Sequence, residues 1–356
     1  MSNMLKDKSK LVTKALNTVS LVKKWLDQNE KAIREIQDIH AHYKACYLHA
    51  VTGNPVKSRY YADIMQNRYL RSDGDFRTEE NHKGWYSLPC NPANRYVYTN
   101  GWIVTGLQRM GAYYPARRGL EFLCKMQDPE TGGFYSAYDI AEKLPDTKYV
   151  DTSSTSAAGF ALLACGQEER AIQAGEFILK HLSCQPELNR YFFSSWAVGS
   201  GVRTDVFGDD DQNSVYGRKQ VCLDLKGDPH SELIWLLGKP MKFLCRLYEL
   251  TRDKRYLEGA ITLFECFEVM EESKYENLSS CKIMWGGSEL YRYTGEEKFG
   301  EISCRMMKSI CDMQDPSGVW LCRLWYKDLQ SQSFAMSLDA AQEMALEITD
   351  VIYDLV

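Results

Sequence analysis

The sequence lacks the features that mark several large classes of protein. In 356 residues, no run reaches the roughly 18 uncharged apolar residues of a membrane-spanning helix, and the first residues carry no apolar signal core. No basic run occurs and the net charge is −5, which disfavours nucleic acid and anionic membranes as partners. None of the 12 cysteines forms a Cys-x-x-Cys pair, so we expect buried free thiols in a reducing compartment. These absences predict a cytoplasmic protein.

Two further absences concern the fold. The sequence has no glycine-rich nucleotide loop and no convincing pattern of parallel strands. Instead, apolar residues recur at helical spacing along most of the chain. Helices are predicted at residues 9–28, 31–50, 55–70, 97–109, 115–127, 157–165, 168–182, 231–250, 254–271, 279–293, 298–314 and 333–356.

A repeated phrase indicates how these helices are arranged. The residues Met-Gln-Asp-Pro stand at 126–129 and return at 313–316, 187 residues later. Each copy ends a predicted helix, makes a turn that contains glycine and leads to an aromatic residue, Phe134 or Trp320. The separation suits three helical hairpins of about 60 residues each. We therefore expect the phrase to stop an outer helix and return the chain across one face of a repeat protein.

The paired helices predict an all-α fold, a single (α/α)6 toroid of six helical hairpins that spans residues 1–356. The first and last helices each lack a partner, so the N-terminal helix is expected to complete the last hairpin. A long insertion at about 183–229 has no clear period, and its strand-like pieces around 189–196 and 219–224 are candidates for a hairpin. Long loops within a compact domain are usually functional, so the site is expected on the face that carries them.

Several motifs resemble known toroid enzymes. The tight turns Leu-Tyr-Glu-Leu-Thr-Arg-Asp at 247–253 and Leu-Tyr-Arg-Tyr-Thr-Gly-Glu at 290–296 are similar to those of six-hairpin glycosidases and sugar epimerases. The repeated phrase resembles those families as well as terpenoid cyclases and protein prenyltransferases. The resemblance covers most of the chain and implies the toroid fold rather than one activity. The Asp-x-Asp-Asp motif of cyclases and the Arg-Gly-Asn-Gly-Trp segment of unsaturated uronyl hydrolases are missing.

One fragment is more specific. Residues 229–237 are similar to a helix start in N-acylglucosamine and cellobiose 2-epimerases, where a histidine and a glutamate do acid–base work. Glu232 and Trp235 keep the spacing of that family, whereas His230 stands one residue too close. The resemblance implies catalytic roles for His230 and Glu232. A helix N-terminus favours neutral imidazole, which suits a base near pH 7. The alternative is a helix cap with exposed polar residues.

Acidic residues in the loops offer further candidates. Asp210 lies in the run Asp209–Asp211 and could act as a general acid, bind a cation or belong to a solvated loop. Asp73 and Asp75 could pair with this run across a pocket, and paired carboxylates suit glycoside hydrolysis. No set of residues supplies the four ligands of a tetrahedral metal site, so we predict neither a metal nor a cofactor.

Aromatic residues gather in or beside the long loops, where they could stack on a substrate. At least half of this set is expected to pack in the core instead. The predicted substrate-binding residues are Trp85, Tyr86, Tyr98, Trp102, Phe134, Tyr135, Trp196, Trp235, Trp285 and Trp320.

These observations lead to three hypotheses. The first is a metal-independent enzyme that acts on a small sugar-like substrate by acid–base chemistry, as an isomerase or epimerase, or else a hydrolase. The second is a cyclase that closes a terpenoid or polyketide skeleton, and the third is a non-catalytic toroid that binds a ligand. A sugar site requires several polar groups beside the aromatic residues, whereas a cyclase pocket should be mostly apolar. The sequence leaves the oligomeric state open.

Overall fold

The computed structural model of the protein describes residues 8–84, 96–206 and 221–355. These residues contain thirteen α-helices and six short strands. The helices are α1 (Lys8–Gln28), α2 (Glu30–Glu35), α3 (Ala45–Val51), α4 (Pro55–Ile64), α5 (Tyr96–Arg109), α6 (Tyr113–Lys125), α7 (Thr152–Ala164), α8 (Glu168–Ser183), α9 (Trp235–Thr251), α10 (Lys254–Glu268), α11 (Cys281–Thr294), α12 (Glu297–Asp312) and α13 (Phe334–Leu355).

The helices form two concentric rings. In the inner ring, α3, α5, α7, α9, α11 and α13 each pack on the next, and α13 packs on α3 to close the circle. The outer partners are α4, α6, α8, α10 and α12, and α1 packs on α13 and on α12. The (α/α)6 toroid predicted from the sequence is thus confirmed, and its N-terminal helix completes the last hairpin.

Small residues let the inner helices approach closely. A Cβ atom on Gly101 of α5 would lie 2.4 Å from the carbonyl oxygen of Ala157 in α7. One on Gly238 of α9 would lie 2.2 Å from the carbonyl oxygen of Lys282 in α11. Nine of the first ten residues of α7 are small, and the exception is Phe160. Most residues of this helix are buried on all sides. Outer helices instead bury one face, as expected for a layer that meets solvent.

The first copy of the repeated phrase clamps two outer helices together. Gln127 follows α6, and its Nε2 donates hydrogen bonds to the carbonyl oxygens of Gly132 (3.0 Å) and of Arg170 in α8 (3.0 Å). Gly132 has a φ of +79°, and a Cβ atom there would lie 2.4 Å from the carbonyl oxygen of Gln173 in α8. Asp128 closes the turn by accepting from Thr131.

The second copy repeats this clamp at the point where the ring closes. Gln314 Nε2 donates to the carbonyl oxygens of Gly318 (3.2 Å) and of Thr18 in α1 (3.1 Å). Gly318 has a φ of +103°, and a Cβ atom there would lie 2.7 Å from the carbonyl oxygen of Leu21 in α1. The two copies therefore place α8 and α1 in equivalent positions, three hairpins apart.

The single helix predicted at 31–50 is wrong, because the structure divides it into α2, a 3-10 turn at Ile39–Ala41 and α3. Asp38 caps the 3-10 turn by accepting from the backbone amide of His40. The carbonyl oxygen of Ile36 is turned away from the helix axis and accepts from Arg68 Nη1 at 3.1 Å. These side-chain contacts satisfy the backbone where the helical bonds are lost.

Two small antiparallel sheets lie in the long connections. One has the order β1-β2-β4-β5, formed by Phe134–Asp139, Leu144–Asp151, Ser195–Ala197 and Gly201–Val202. The other pairs β3 (Tyr191–Phe193) with β6 (Cys222–Asp224), which are the strand-like pieces predicted in the insertion. The β1–β2 hairpin was not predicted, because its aromatic residues were assigned to substrate binding.

Within the described ranges, no helix is long and apolar enough to cross a membrane. The cysteines of these ranges are free thiols, and most of them are buried.

The repeated clamp can be tested with three glycine-to-alanine variants. Gly132→Ala and Gly318→Ala combine a left-handed φ with a backbone clash, so each should lower the free energy of unfolding by more than about 2 kcal/mol. Gly166 has a similar φ of +71° with nothing within 4 Å of its Cβ position, so Gly166→Ala should cost only about 1 kcal/mol. Urea denaturation measures all three. Equal losses would contradict the close approach to α8 and α1.

His181 offers a test of burial through pH. Its ring is fully buried among Phe177, Phe192 and Trp196, and burial lowers its pKa to about 4. The unfolded chain binds this proton near the ordinary pKa of 6.5, whereas the folded chain binds it only near pH 4. The unfolding free energy should therefore fall by up to about 3 kcal/mol as the pH falls from about 6.5 to about 4.

His181→Gln should reduce this fall by the same amount, whatever its effect at neutral pH. A His181→Gln variant with the acid dependence of the wild type would contradict the inference.

Candidate functional site

Two tryptophans meet across the centre of the ring. Trp102 of α5 and Trp285 of α11 stack with their ring centroids 5.8 Å apart and an interplanar angle of 17°. Because α5 and α11 stand on opposite sides of the inner ring, this pair spans its middle. Tyr47 of α3 lies against Trp102 at 5.8 Å, and Trp285 Nε1 donates to Asp350 of α13 at 2.9 Å. The ring interior is thus filled by aromatic faces at mid-height.

A group of charged residues lies nearer the N-terminal ends of the inner helices. Lys44 Nζ, just before α3, donates to Asp339 Oδ1 at 2.8 Å and lies 3.2 Å from Glu343 Oε1. Lys282 of α11 also bonds to Glu343, and the hydroxyl of Tyr98 in α5 lies 3.5 Å from the same carboxylate. We refer to these five residues as the charged cluster.

The charged cluster is enclosed but not sealed. The side chains of Lys44 and Lys282 are 1% and 3% exposed, whereas that of Glu343 is 17% exposed. Lys239 of α9 lies beside the cluster with Nζ 3.7 Å from the centre of the Tyr98 ring, and it donates to Ser153 Oγ at 3.0 Å. Carboxylate, ammonium and hydroxyl groups from α5, α9, α11, α13 and the start of α3 thus meet where the Glu343 side chain is partly exposed.

The charges in the cluster shift one another's ionisation. Burial alone would raise the pKa of Glu343, but Lys282 and Lys44 outweigh it and hold this pKa well below its ordinary value. Burial lowers the pKa of Lys282, but Glu343 and Glu347 raise it well above the ordinary value. Burial and the Glu343 charge raise the pKa of the Tyr98 hydroxyl to about 12. At neutral pH Glu343 is therefore a carboxylate, Lys282 an ammonium group and the Tyr98 hydroxyl a neutral donor.

A pocket of about 310 Å³ lies on the other side of the tryptophan pair, toward the C-terminal ends of the inner helices. We call it the interior pocket. Its lining is Tyr47, Gly101, Trp102, Thr105, Gln108, Arg109, Tyr113, Ala157, Phe160, Leu163, Ala164, Lys239, Lys242, Arg246 and Trp285.

Helix α13 supplies most of the carboxylates of the ring interior. Five acidic residues share one face of this helix, because their spacing follows the helical repeat. Three of them, Asp339, Glu343 and Glu347, contact Lys44 or Lys282. The other two, Asp350 and Asp354, lie 3.6 Å and 3.7 Å from Lys242 Nζ. These carboxylates were missed as site residues, although their spacing in an otherwise apolar helix was visible in the sequence.

Four of the predicted substrate-binding residues lie in the ring interior. Trp102 and Trp285 line the interior pocket, and Tyr98 belongs to the charged cluster. Trp235 opens α9, is half-buried and lies with its ring 4.4 Å from Lys239 Nζ.

Four others pack away from the interior. Phe134 is fully buried at the start of β1, and Tyr135 donates to Asp128 at 2.7 Å. Trp196 packs against Phe177 of α8, and Trp320 donates its Nε1–H to the carbonyl oxygen of Ile310. These four residues hold strands and turns against the outer helices.

The structure separates the two residues of the epimerase-like fragment. The side chain of His230 is 45% exposed and lies 3.9 Å from the exposed carboxylate of Glu276. Glu232 is buried, and its Oε2 accepts from the backbone amide of Asp224. Neither residue lines the interior pocket. Asp210, Trp85 and Tyr86 lie outside the described residues.

Asp75 is also far from any accessible space. It is fully buried and accepts hydrogen bonds from Lys83 Nζ (2.7 Å) and Asn100 Nδ2 (2.7 Å). Tyr96 and Arg77 complete this network. A carboxylate with all these donors ties residues 75–83 to the start of α5, which is a structural role.

Comparisons with known proteins agree with the fold. No family model matches the chain, and no curated protein matches it either. A structure of D-mannose isomerase is similar with a TM-score of 0.63 and 10% identity, covering 89% of this chain and 86% of the other. A family 76 α-mannanase from Bacteroides thetaiotaomicron has a TM-score of 0.60 and 14% identity, with 96% of each chain covered.

A type II terpene cyclase from Scytonema is similar as well, with a TM-score of 0.54, 10% identity and coverage of 98% of this chain and 99% of the other. These three proteins have (α/α)6 toroids and carry out different reactions. At such low identity the similarity establishes the toroid fold of this chain, and its activity has to be argued from its own residues.

Lys282 tests how the charged cluster is held together. Lys282→Met leaves Glu343 and Glu347 buried beside each other without their shared cation, so the unfolding free energy should fall by about 3–5 kcal/mol. The double variant Lys282→Met/Glu347→Gln removes one of the two charges and should recover part of this loss. The exposed Lys298 is the control, and Lys298→Met should change stability by less than about 1 kcal/mol. Urea denaturation measures the unfolding free energies. Equal losses in Lys282→Met and Lys298→Met would contradict the pairing of Lys282 with the two carboxylates.

Proposed function

We propose that the protein is an enzyme that isomerises or epimerises a sugar-like substrate in the ring interior, with the charged cluster as its reaction centre. The observation that carries the proposal is the convergence of Glu343 with Lys44, Lys282 and Tyr98 beside aromatic faces. A hydroxyl-rich substrate can exchange hydrogen bonds with all these groups, and its apolar faces can stack on the aromatic rings.

The charges argue against a cyclase of apolar substrates. A polyene offers no partners to the ammonium and carboxylate groups of the cluster, so binding it there would desolvate charged groups without compensation. A sugar avoids this cost because its oxygens replace the lost water.

The proposed chemistry is proton transfer at the carbon next to a carbonyl group. In an open-chain aldose, the Glu343 carboxylate would take the proton from C2 while the electrons of that bond move onto the C1 oxygen, forming an enediolate. The ammonium groups of Lys44 and Lys282 would stabilise the negative oxygen. Transfer of the C2 hydroxyl proton to the C1 oxygen and return of the abstracted proton from Glu343 to C1 give the ketose. Return of a proton to the opposite face of C2, with the carbonyl group re-formed at C1, gives the epimer. No oxidant or reductant is consumed.

This assignment differs from the one suggested by the epimerase-like fragment. None of the six histidines of the chain, all of which lie in described ranges, lines the interior pocket. Glu343 is supported instead of His230 because its carboxylate is partly accessible and lies beside the two lysines that would stabilise the enediolate oxygen.

Hydrolysis of a glycoside is a second candidate, supported by one observation. Asp339 and Glu343 both contact Lys44 Nζ, so two carboxylates lie side by side in the charged cluster. A pair of carboxylates is what glycoside hydrolysis requires. Release of new reducing ends from mannosides would favour this alternative over isomerisation.

Proton transfer can be measured directly by solvent exchange. The protein is incubated in D2O with mannose, glucose, fructose or cellobiose, and NMR follows the loss of the proton signal at C2 and the appearance of new sugars. Wild-type protein should catalyse exchange or interconversion with at least one of them. Glu343→Gln should lower that rate by about 10²–10⁴-fold, because an amide cannot accept the proton.

The control is Glu258→Gln, an exposed carboxylate on the outer helix α10, which should retain full activity. Circular dichroism and the melting midpoint establish that the Glu343→Gln variant is folded. Full activity of folded Glu343→Gln would exclude it as the base. Binding of a sugar without exchange, interconversion or hydrolysis would instead indicate a non-catalytic toroid.

A further inference from the structure

The lining of the interior pocket has charge of one sign. Arg109, Lys239, Lys242 and Arg246 contribute to it, whereas none of the described residues that line it is an aspartate or glutamate. This contrasts with the whole chain, which has 48 acidic and 43 basic residues. The pocket therefore presents cations to whatever enters it.

One buried donor in the lining lacks a hydrogen-bond acceptor. Trp102 is 5% exposed, and its Nε1–H has no partner among the described residues. A buried donor without a partner costs about 1–3 kcal/mol, so the pocket is suited to a ligand that brings acceptor oxygens.

The carboxylates near the pocket lie behind its cations. Glu289, Asp350 and Asp354 are 3.3–3.7 Å from Lys242 Nζ, and Glu289 also pairs with Arg246. None of these three carboxylates belongs to the pocket lining, whereas Lys242 and Arg246 do.

Arg109 lies at the pocket rim with different partners. Its guanidinium lies 4.6 Å above the Tyr47 ring, and no carboxylate within the described ranges reaches ion-pair distance of it. An arginine held flat on an aromatic face keeps its N–H edges free for two parallel bonds to an oxyanion. The C-terminal ends of the inner helices carry partial negative charge, so attraction of an anion here depends on the side chains.

We propose that the interior pocket binds the oxyanion group of a small metabolite, either a phosphate ester or a carboxylate carried on a sugar-sized body. The oxyanion contacts Arg109, Lys242 and Arg246, and an oxygen of the ligand accepts from Trp102 Nε1. The volume of about 310 Å³ and the faces of Trp102 and Trp285 suit such a body. This site lies across the tryptophan pair from the charged cluster and does not depend on the proposed reaction.

The test is titration calorimetry with wild-type protein and four probes at constant ionic strength. The probes are inorganic phosphate, glucose 6-phosphate, glucuronate and uncharged glucose. We expect saturable binding of the 6-phosphate or of glucuronate at least about tenfold tighter than that of glucose, since a hydrogen bond to a charged group contributes about 1.5–3 kcal/mol. The tighter of the two identifies the phosphate ester or the carboxylate as the ligand group.

Two variants locate the binding. Arg109→Gln removes the rim cation, and Trp102→Phe removes only the N–H donor while it keeps an aromatic ring; each should weaken binding of the preferred anion at least about tenfold. Arg117→Gln, on the exposed face of α6, should bind like the wild type.

Three results would overturn the proposal. These are the absence of saturable anion binding below about 10 mM, equal affinity for glucose and its 6-phosphate, or wild-type affinity in both variants. Melting midpoints establish that the variants are folded. Because calorimetry needs no turnover, failure here leaves the proposed isomerase activity untouched, and an inactive protein that binds the anion supports this site alone.

Discussion

Charged groups inside the ring must be paired, and this requirement links the inner helices to one another. Lys44, Lys282 and Lys242 come from three different parts of the ring, and each reaches carboxylates of α13. An isolated charge in such a place would carry a desolvation cost of several kcal/mol. The ring therefore has to be closed by α13 before its interior is electrostatically satisfied, and the same closure assembles the candidate reaction centre.

A buried network of this kind favours one arrangement rather than simply adding stability. Glu343 and Glu347 share Lys282, so a change at one carboxylate alters the surroundings of the other. Apolar residues could fill the same space at lower electrostatic cost. The presence of charged residues in this space is consistent with an interior that binds polar molecules. The partial exposure of Glu343 gives such molecules access.

The fold could be predicted from the sequence because every hairpin of a repeat protein carries the same pattern of two helices and a turn. Helical spacing, paired segments and the repeated phrase at Gln127 and Gln314 all indicate the same order of helical hairpins. An error in the predicted end of one helix does not change that order. The break within 31–50 could not be predicted, because it depends on a contact between the carbonyl oxygen of Ile36 and Arg68, which is 32 residues further along the chain.

Only some of the residues of the candidate site could be predicted from the sequence. Phe134 and Trp102 were both predicted to bind substrate, yet Phe134 is buried in β1 and Trp102 lies at the ring centre, and the aromatic content of a segment does not indicate which way a side chain faces. The fragment around His230 was selected by local similarity, and local similarity does not report where a helix start faces. The acidic face of α13 was visible in the spacing, but its lysine partners lie on other helices far away in sequence.

The pairing of α1 with α13 has a consequence for synthesis. Helix α1 packs on α12 and α13, which follow it by more than 260 residues, and Gln314 and Gly318 contact the same helix. Until these segments are synthesised, the apolar face around Ala15, Val19 and Val22 has no native cover. A ribosome-bound chain would therefore expose this face until α12 and α13 emerge, and an exposed apolar face of this kind is prone to non-native contacts.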